Sequence, residues 1–349
     1  MSECGVTWRA MSSPLAIFRL DATPALGAGH LARCRVLAVA LGAEEWRVRF
    51  AVSAETAETV GAPEDAIILP AKADEEPGAL RAAEPGGCNL LVIDHYGRDA
   101  AFERSCRPWA WRVFVLDDLA DRPHDADWLL DPTPGRTPED YAGRVRRDTR
   151  LLLGTNHALL DARFAQARPG ALARRRAGRP VSRVLISPGG TDLADVTGVA
   201  LDALAGLEPA LAADVALLPS APHVAHSRAR ATPGVQFHVP TRDMAALMVE
   251  ADLAIGAPGG SAWERCCLGL PTLLVITAEN QRLNARRLED AGAAIIVGEA
   301  GRVKAEMIRA AVVGLVGDTA RRRRMTEAAA SLCDGEGAPR VLAAIMERA

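Results

Sequence analysis

The sequence has no long hydrophobic run, few aromatic residues and no excess of positive charge. No apolar stretch of the 349-residue chain reaches the roughly 18 residues that a membrane-spanning helix requires, and the opening segment lacks the apolar core of a secretion signal. We therefore expect a cytoplasmic protein with no membrane partner. Lys plus Arg total 41 against 44 for Asp plus Glu, and the net charge of −3 gives no general attraction to nucleic acid.

Cysteine and basic residues also lack the patterns that mark particular sites. The seven cysteines are odd in number, Cys266 and Cys267 are adjacent, and no C-x-x-C pair occurs. We interpret them as reduced packing residues and expect no metal and no cofactor. The arginine runs 174–176 and 321–324 have no interleaved aromatic residues, which favours solvated surface over the alternative of a polyanion patch.

Short apolar runs recur between helix-like stretches along the chain. Fully apolar runs of this length are typical of buried parallel strands, and their alternation with helices indicates an α/β fold. Residues 166–181 are rich in Arg, Ala, Gly and Pro, carry no core pattern and are interpreted as a linker. The sequence thus predicts an N-terminal extension (1–13), two Rossmann-like doubly wound domains (14–165 and 182–349) facing a central cleft, and the linker between them.

The first strand-to-helix turn carries polar side chains and glycines. In open α/β sheets ligands bind outside the carboxyl ends of the strands, which makes Arg19 and Asp21 candidate binding residues. Gly27 and Gly29 allow close approach of the backbone to a ligand. His30 follows at a helix N-terminus, where the imidazole stays neutral, and is a candidate general base; a capping or packing histidine is the alternative. The turn lacks the third glycine of a dinucleotide-binding fingerprint.

Two later strands of the first domain also end in polar residues. Asp94, His95 and Tyr96 follow one of them, and this clustering indicates a site. Asp117 and Asp118 follow the next, where they can bind metal, orient sugar hydroxyls or cap a turn.

Three turns of the second domain carry groups suited to a nucleotide sugar. Glycine-rich turns offer backbone N–H groups to phosphate; the candidates are Gly189, Gly190, Thr191 and Asp192 in one turn and Gly259, Gly260 and Ser261 in another. Glu264, in the helix that follows, can accept both ribose hydroxyl protons. Asn280 and Gln281 provide amides for sugar hydroxyl or acetamido groups, with loop capping as the alternative.

Taken in order over about residues 14–300, these motifs resemble those of a known family. It is the nucleotide-sugar hydrolase of pseudaminic acid biosynthesis, UDP-2,4-diacetamido-2,4,6-trideoxy-β-L-altropyranose hydrolase, a relative of the spore coat polysaccharide proteins. The resemblance implies a GT-B-like fold and a metal-independent release of UDP by water attack at the anomeric carbon with inversion, in a pathway that serves flagellin glycosylation.

The resemblance also implies roles for the candidate residues. It implies catalytic roles for His30, Tyr96 and Asn280. Substrate contacts are assigned to Arg19, Asp21, Gly27, Gly29, Asp94 and Gln281, and UDP contacts to the two glycine-rich turns with Glu264 on the ribose. The alternatives are a GT-B glycosyltransferase that uses a UDP-sugar donor and a non-catalytic UDP-sugar binding module. The oligomeric state stays open.

Overall fold

The computed structural model describes residues 13–23, 28–60, 65–241 and 243–347. The predicted N-terminal extension, apart from Ser13, lies outside the described residues, and so does Gly27. Within these ranges, no helix combines the length and the apolar character needed to cross a membrane.

Seven parallel strands form the first sheet. They are β1 (Leu15–Leu20), β2 (Arg47–Ser53), β3 (Ile67–Leu69), β4 (Cys88–Asp94), β5 (Ala110–Leu116), β6 (Trp128–Asp131) and β7 (Arg150–Leu153). Their spatial order is β3-β2-β1-β4-β5-β6-β7. Phe18 and Ile17 of β1 point into different cores on the two faces, and because both faces are covered the strands are apolar throughout.

Helices and short 3-10 turns connect these strands. They are α1 (Gly29–Ala43), α2 (Ala54–Val60), α3 (Glu76–Ala83), α4 (Ala100–Cys106) and the 3-10 turns Pro138–Tyr141 and Thr155–His157. One apolar face of α1 is buried, from Leu31 through Leu37 to Leu41. This burial fixes α1 against the sheet and directs its first turn towards the carboxyl ends of the strands.

Six parallel strands form the second sheet, in the order β10-β9-β8-β11-β12-β13. The strands are β8 (Arg183–Ser187), β9 (Ala212–Ala216), β10 (Val235–His238), β11 (Leu253–Gly256), β12 (Thr272–Ile276) and β13 (Ala294–Glu299). The helices are α5 (Ala162–Arg176), α6 (Val196–Leu204), α7 (Val224–Ala229), α8 (Met244–Glu250), α9 (Ser261–Cys267), α10 (Arg282–Asp290), α11 (Ala305–Gly317), α12 (Thr319–Leu332) and α13 (Gly337–Met346), with a 3-10 turn at Glu279–Gln281. The prediction of two parallel, doubly wound α/β sheets is confirmed.

The segment predicted as a linker is largely helical. Residues 166–176 lie in α5, and the helix buries Phe164, Ala171 and Leu172. Its neighbours are α8, α9 and α12 of the second domain. The arginines between the apolar positions carry long aliphatic stems that cover the same surface, which is why the apolar stripe is hard to see in the sequence.

The last helix returns to the first domain. Val341 and Ile345 of α13 are buried in the core that also holds Leu37 of α1, and Trp128 Nε1 donates to the carbonyl oxygen of Ala344 at 3.1 Å. The predicted second domain, residues 182–349, therefore includes a C-terminal helix that packs with the other sheet. This crossing ties the two halves together a second time.

A charged cluster is buried beneath the carboxyl end of β5. The side chain of His124 is fully buried, and its Nδ1 lies 2.7 Å from Glu103 Oε1 while its Nε2 lies 3.7 Å from Asp117 Oδ2. Burial alone would lower its pKa, but hydrogen bonds and charge from Asp117 and Glu103 raise the pKa of His124 to about 9. The imidazolium offsets part of the negative charge of these two buried carboxylates at neutral pH, and Arg122 Nη1 also pairs with Asp117 Oδ1 at 3.0 Å.

We expect this imidazolium to make stability depend on pH. The pKa of His124 in the folded protein is about 9, above the value of about 6.5 in the unfolded chain. Protonated His124 therefore stabilises the fold fully below pH 6.5, and this stabilisation is lost as pH rises through 9. His124→Gln should therefore lower the free energy of unfolding by roughly 3 kcal/mol more at pH 6 than at pH 9.5. Urea denaturation at the two pH values measures the difference.

His226→Gln is the matched control, because His226 is an exposed histidine. Its stability should follow that of the unaltered protein at both pH values. Parallel pH curves for His124→Gln and the unaltered protein would contradict the assignment of a buried imidazolium.

Candidate active site

His30 lies in the first turn of α1, at the carboxyl edge of the first sheet. Its side chain is 7% exposed, and its ring meets the ring of Tyr96 edge-on, with centroids 4.9 Å apart. Nδ1 lies 3.2 Å from the backbone carbonyl oxygen of Asp94. A carbonyl oxygen only accepts, so in the neutral ring Nδ1 carries the proton and Nε2 carries the lone pair.

Arg33, one turn further along α1, binds the carboxylate of Asp94. Its Nε and Nη2 donate to the two oxygens at 2.6 and 2.5 Å, and its Nη1 donates to Asp118 Oδ2 at 3.2 Å. The carboxylate of Asp94 is 1% exposed. Asp94, a predicted substrate-binding residue, is therefore paired with the protein's own arginine and not directed into the cleft.

Burial and this ion pair together set the charge of His30. Burial has the largest effect and lowers the pKa of His30 below its ordinary value; the charge of Asp94 opposes that shift, and the charge of Arg33 reinforces it. Burial alone would raise the pKa of Asp94, but Arg33 and His30 hold it below its usual range. The result is a neutral imidazole beside an ionised but neutralised carboxylate.

Tyr96 connects the two halves of the molecule. Asn280, in the 3-10 turn after β12, donates from Nδ2 to the Tyr96 hydroxyl at 3.0 Å, and that hydroxyl donates to Asp118 Oδ2 at 3.4 Å. Burial and the charge of Asp118 raise the pKa of Tyr96 well above its ordinary value, which keeps it a phenol. The three residues predicted as catalytic, His30, Tyr96 and Asn280, thus lie together across the cleft.

Arg19 and Asp21 lie in a buried polar network next to this site. Arg19 Nη2 lies 2.7 Å from Glu76 Oε1, and Asp21 accepts from the backbone N–H of Ser53 at 3.0 Å. His95 Nε2 lies 3.1 Å from Asp21 Oδ2. Since these groups satisfy one another, they present little free polar surface to a ligand.

The first glycine-rich turn of the second domain depends on its glycines. Gly189 has a φ of +122°, and a Cβ at Gly190 would lie 2.6 Å from Leu218 Cδ1. Thr191 is half-buried beside them. Asp192 accepts from the backbone N–H groups of Val196 and Thr197, both at 2.9 Å. Its carboxylate occupies the start of α6, where it would repel a phosphate, so only the rest of this turn is open to an anion.

The second glycine-rich turn leads into α9. Gly259 and Gly260 precede the helix, and Ser261 accepts a hydrogen bond from Arg265 Nη1 at 3.0 Å. Within the described ranges no group donates to the carboxylate of Glu264, which is half-buried. Burial raises the pKa of Glu264 to about 7. It is a carboxylate in need of donors, unlike Asp94 and Asp192.

Gln281 is engaged in its own loop. Its Oε1 accepts from the backbone N–H of Thr277 at 3.0 Å and from the hydroxyl at 3.1 Å. This geometry matches the loop-cap alternative and brings the Gln281 amide nitrogen near Gly259. Asn280, the neighbouring residue, is the one that reaches the first domain.

Arg33 is a residue of the site that the sequence patterns did not indicate as functional. Arg33 stands three positions after His30, which places both on one face of α1; this spacing was the available signal. Asp118 belongs to the acidic pair after β5, for which the sequence left metal binding, orientation of sugar hydroxyls and turn capping open. Among the described residues no group of three or more His, Cys, Asp or Glu side chains is arranged to hold a metal ion.

Comparisons with known proteins bear on this arrangement. Residues 230–338 match the family model of the glycosyltransferase family 28 C-terminal domain. The chain is 23% identical over 327 residues to the spore coat polysaccharide biosynthesis protein SpsG of Bacillus subtilis (strain 168), covering 92% of this chain and 94% of that protein.

Two solved structures share the architecture over nearly the whole chain. MurG from Acinetobacter baumannii has a TM-score of 0.64 at 16% identity, covering 96% of this chain and 99% of its own. UDP-GlcNAc 2-epimerase from Neisseria meningitidis, bound to UDP-GlcNAc, has a TM-score of 0.62 at 13% identity, covering 96% and 100%. The predicted GT-B-like fold is confirmed, and the match of residues 230–338 supports a glycosyltransferase-like protein.

Proposed function

We propose that the protein is a metal-independent UDP-sugar hydrolase. The observation that carries the proposal is the neutral imidazole of His30, oriented by a backbone carbonyl and held next to Tyr96 and Asn280. A neutral imidazole with its lone pair on Nε2 can take a proton from water. The motifs of the chain resemble those of the hydrolase that acts on UDP-2,4-diacetamido-2,4,6-trideoxy-β-L-altropyranose. We propose this UDP-sugar, or a close analogue of it, as the substrate.

In the proposed reaction a water molecule attacks the anomeric carbon. His30 Nε2 accepts one water proton as the new C–O bond forms, the bond from that carbon to the β-phosphate oxygen breaks, and UDP departs with the bonding electrons. Attack from the face opposite the leaving group inverts the configuration. Backbone N–H groups of the turns at 189–190 and 259–261 would stabilise the charge that gathers on the diphosphate.

The low exposure of His30 favours water as the acceptor. The ring is flanked by Tyr96, whose hydroxyl is held by Asn280 from the other domain, and only 7% of the His30 side chain is exposed. Water reaches such a group more easily than a bulky sugar or lipid hydroxyl does. The second candidate is a glycosyltransferase, which the match of residues 230–338 to a glycosyltransferase domain favours.

Incubation of the purified protein with the UDP-diacetamido sugar tests the proposal. Proton NMR should show UDP and free sugar forming without an added acceptor, with the inverted anomer first. His30→Asn should lower kcat by about a hundred- to ten-thousandfold and leave UDP affinity within about twofold, because the imidazole acts in the chemical step.

His157→Asn is the matched control. His157 Nδ1 also lies against a backbone carbonyl, that of Leu153, at 3.0 Å, but His157 is in another turn of the first domain. Its variant should turn over normally. Sugar release only when an acceptor is present would favour the glycosyltransferase, and full activity of His30→Asn would remove the proposed base.

Arg33 should set the pH range of the reaction. In Arg33→Met the charge of Asp94 is no longer balanced, so the imidazolium form of His30 gains stability and its pKa rises by about 1 unit or more. The acid limb of kcat/KM should move to higher pH by the same amount. The double variant Arg33→Met/Asp94→Asn removes both charges and should return the acid limb of kcat/KM towards its position in the unaltered protein.

Histidine NMR titration measures the same pKa without substrate. Arg35→Met, an exposed arginine on the same helix, should leave it unchanged. An activity loss in Arg33→Met that is equal at all pH values, with no change in the His30 titration, would mean that Arg33 acts only on folding.

Glu264 should bind the ribose of the nucleotide. Its pKa of about 7 means that the acceptor form, the carboxylate, is lost as pH falls from 8 to 6, and affinity for uridine should fall with it. Glu264→Gln should weaken uridine binding about tenfold at pH 8 and abolish this pH dependence. Uridine is the probe because it has no phosphate that titrates; calorimetry measures its binding.

Glu250→Gln changes an exposed glutamate and serves as the control for the charge. Uridine affinity in this variant should match that of the unaltered protein. Identical pH curves for Glu264→Gln and the unaltered protein would show that another group holds the ribose.

A further inference from the structure

Arginines converge at the amino edge of the second sheet, on the side opposite the proposed UDP turns. Arg174 and Arg175 end α5, Arg179 lies in the loop before β8, and Arg322 and Arg323 lie in the first turns of α12. They line a depression that is completed by residues just before β11 and β12. The glycine-rich turns follow the carboxyl ends of β8 and β11, so the arginine depression is a separate place on the molecule.

The two buried arginines of this depression have no carboxylate hydrogen-bonded to them. Arg175, 8% exposed, donates to the carbonyl oxygens of Ala171, Met248 and Ala251, and its Nε has no partner. Arg322, 7% exposed, donates to main-chain carbonyls and the Thr319 hydroxyl. Neutral acceptors satisfy these hydrogen bonds, and nearby carboxylates offset the two charges only without hydrogen bonds to them.

One carboxylate lines the depression, and both of its oxygens already accept hydrogen bonds from the protein. Asp252 binds Arg174 Nη1 at 2.5 Å and accepts from the backbone N–H groups of Ser182 and Arg183. Burial and the charge of Arg174 lower the pKa of Arg175 to about 10, and burial lowers the pKa of Arg322. Five guanidinium groups line the depression with one carboxylate, and the charges of Glu250 and Asp318 also reach Arg175 and Arg322. Positive charge is still in excess.

The rim of the depression offers two further cations. Arg179 and Arg323 are exposed, and within the described residues no group accepts a hydrogen bond from either guanidinium. Gly178, with a φ of +68°, lets the Arg323 guanidinium lie directly against the backbone, because a Cβ there would be 2.6 Å from Nη2. The enclosed part has a cavity volume of about 20 Å³, enough for one water-sized atom.

We propose that this arginine depression binds a phosphate-type oxyanion, the phosphoryl group of a small molecule. One oxygen of the tetrahedral anion would fill the enclosed part next to Arg175 Nε, and the others would meet the rim guanidiniums of Arg179 and Arg323. A tetrahedral oxyanion suits several converging arginines better than a planar carboxylate does, since it presents oxygens in more than one plane. The ligand here would be distinct from the nucleotide sugar in the cleft.

Titration of the full chain with inorganic pyrophosphate at constant ionic strength tests the proposal. Arg179→Gln/Arg323→Gln should weaken pyrophosphate binding at least about tenfold, because it removes both rim contacts while both residues are exposed. The matched control is Arg321→Gln/Arg324→Gln, which removes two exposed arginines of the same run that do not line the depression. Calorimetry should show the control pair within about twofold of the unaltered protein.

The two double variants separate the possible outcomes. Equal weakening in both pairs would show that diffuse surface charge attracts the anion and would overturn the site. No weakening in either pair would show that pyrophosphate binds elsewhere, such as in the cleft, and would also overturn it. Because the readout is binding at the far edge of the sheet, its result does not depend on whether the cleft hydrolyses a UDP-sugar.

Discussion

The candidate active site depends on one buried ion pair, between Arg33 of α1 and Asp94 at the end of β4. A carboxylate that is 1% exposed is costly unless it is paired and fully hydrogen-bonded, and Arg33 supplies two hydrogen bonds to it. The pair joins α1 to the sheet one turn beyond His30, which helps to position His30 against the carbonyl of Asp94. It also cancels the negative charge that would otherwise favour an imidazolium.

The acidic residues around the cleft differ in whether their carboxylates have partners within the protein. Asp94 is held by Arg33, Asp21 by Arg19 and the Ser53 backbone, and Asp192 by the start of α6. In contrast, Glu264 has a raised pKa and no donor within the described part of the chain. The carboxylates with partners inside the protein stabilise the structure of the site, whereas Glu264, which has no donor within the described residues, is available to bind a ligand.

The two domains contribute different parts to the cleft and are joined more than once. The first supplies the imidazole and phenol, and the second supplies glycine-rich turns and the amide of Asn280. Helix α13 runs from the second domain back into the core of the first, and Asn280 bonds Tyr96 at 3.0 Å. A reaction that needs groups from both domains therefore depends on these two contacts, because they set the position of one domain relative to the other.

The sequence by itself determined the fold class and the edge of the sheets where the polar residues gather. The strands β1, β4 and β12 are apolar runs because both of their faces are covered, which makes them visible in the sequence. The polar residues after them meet at the carboxyl edges. Only the tertiary structure decided which polar residue faces the cleft and which faces a partner. The burial of Asp94 and Asp192, the pairing by Arg33 and the helical packing of residues 166–176 all depend on contacts between segments distant in sequence or on the direction of a side chain. A one-dimensional pattern records the residue type at a strand end, but the free energy of burying its charge is set by neighbours that only folding brings near.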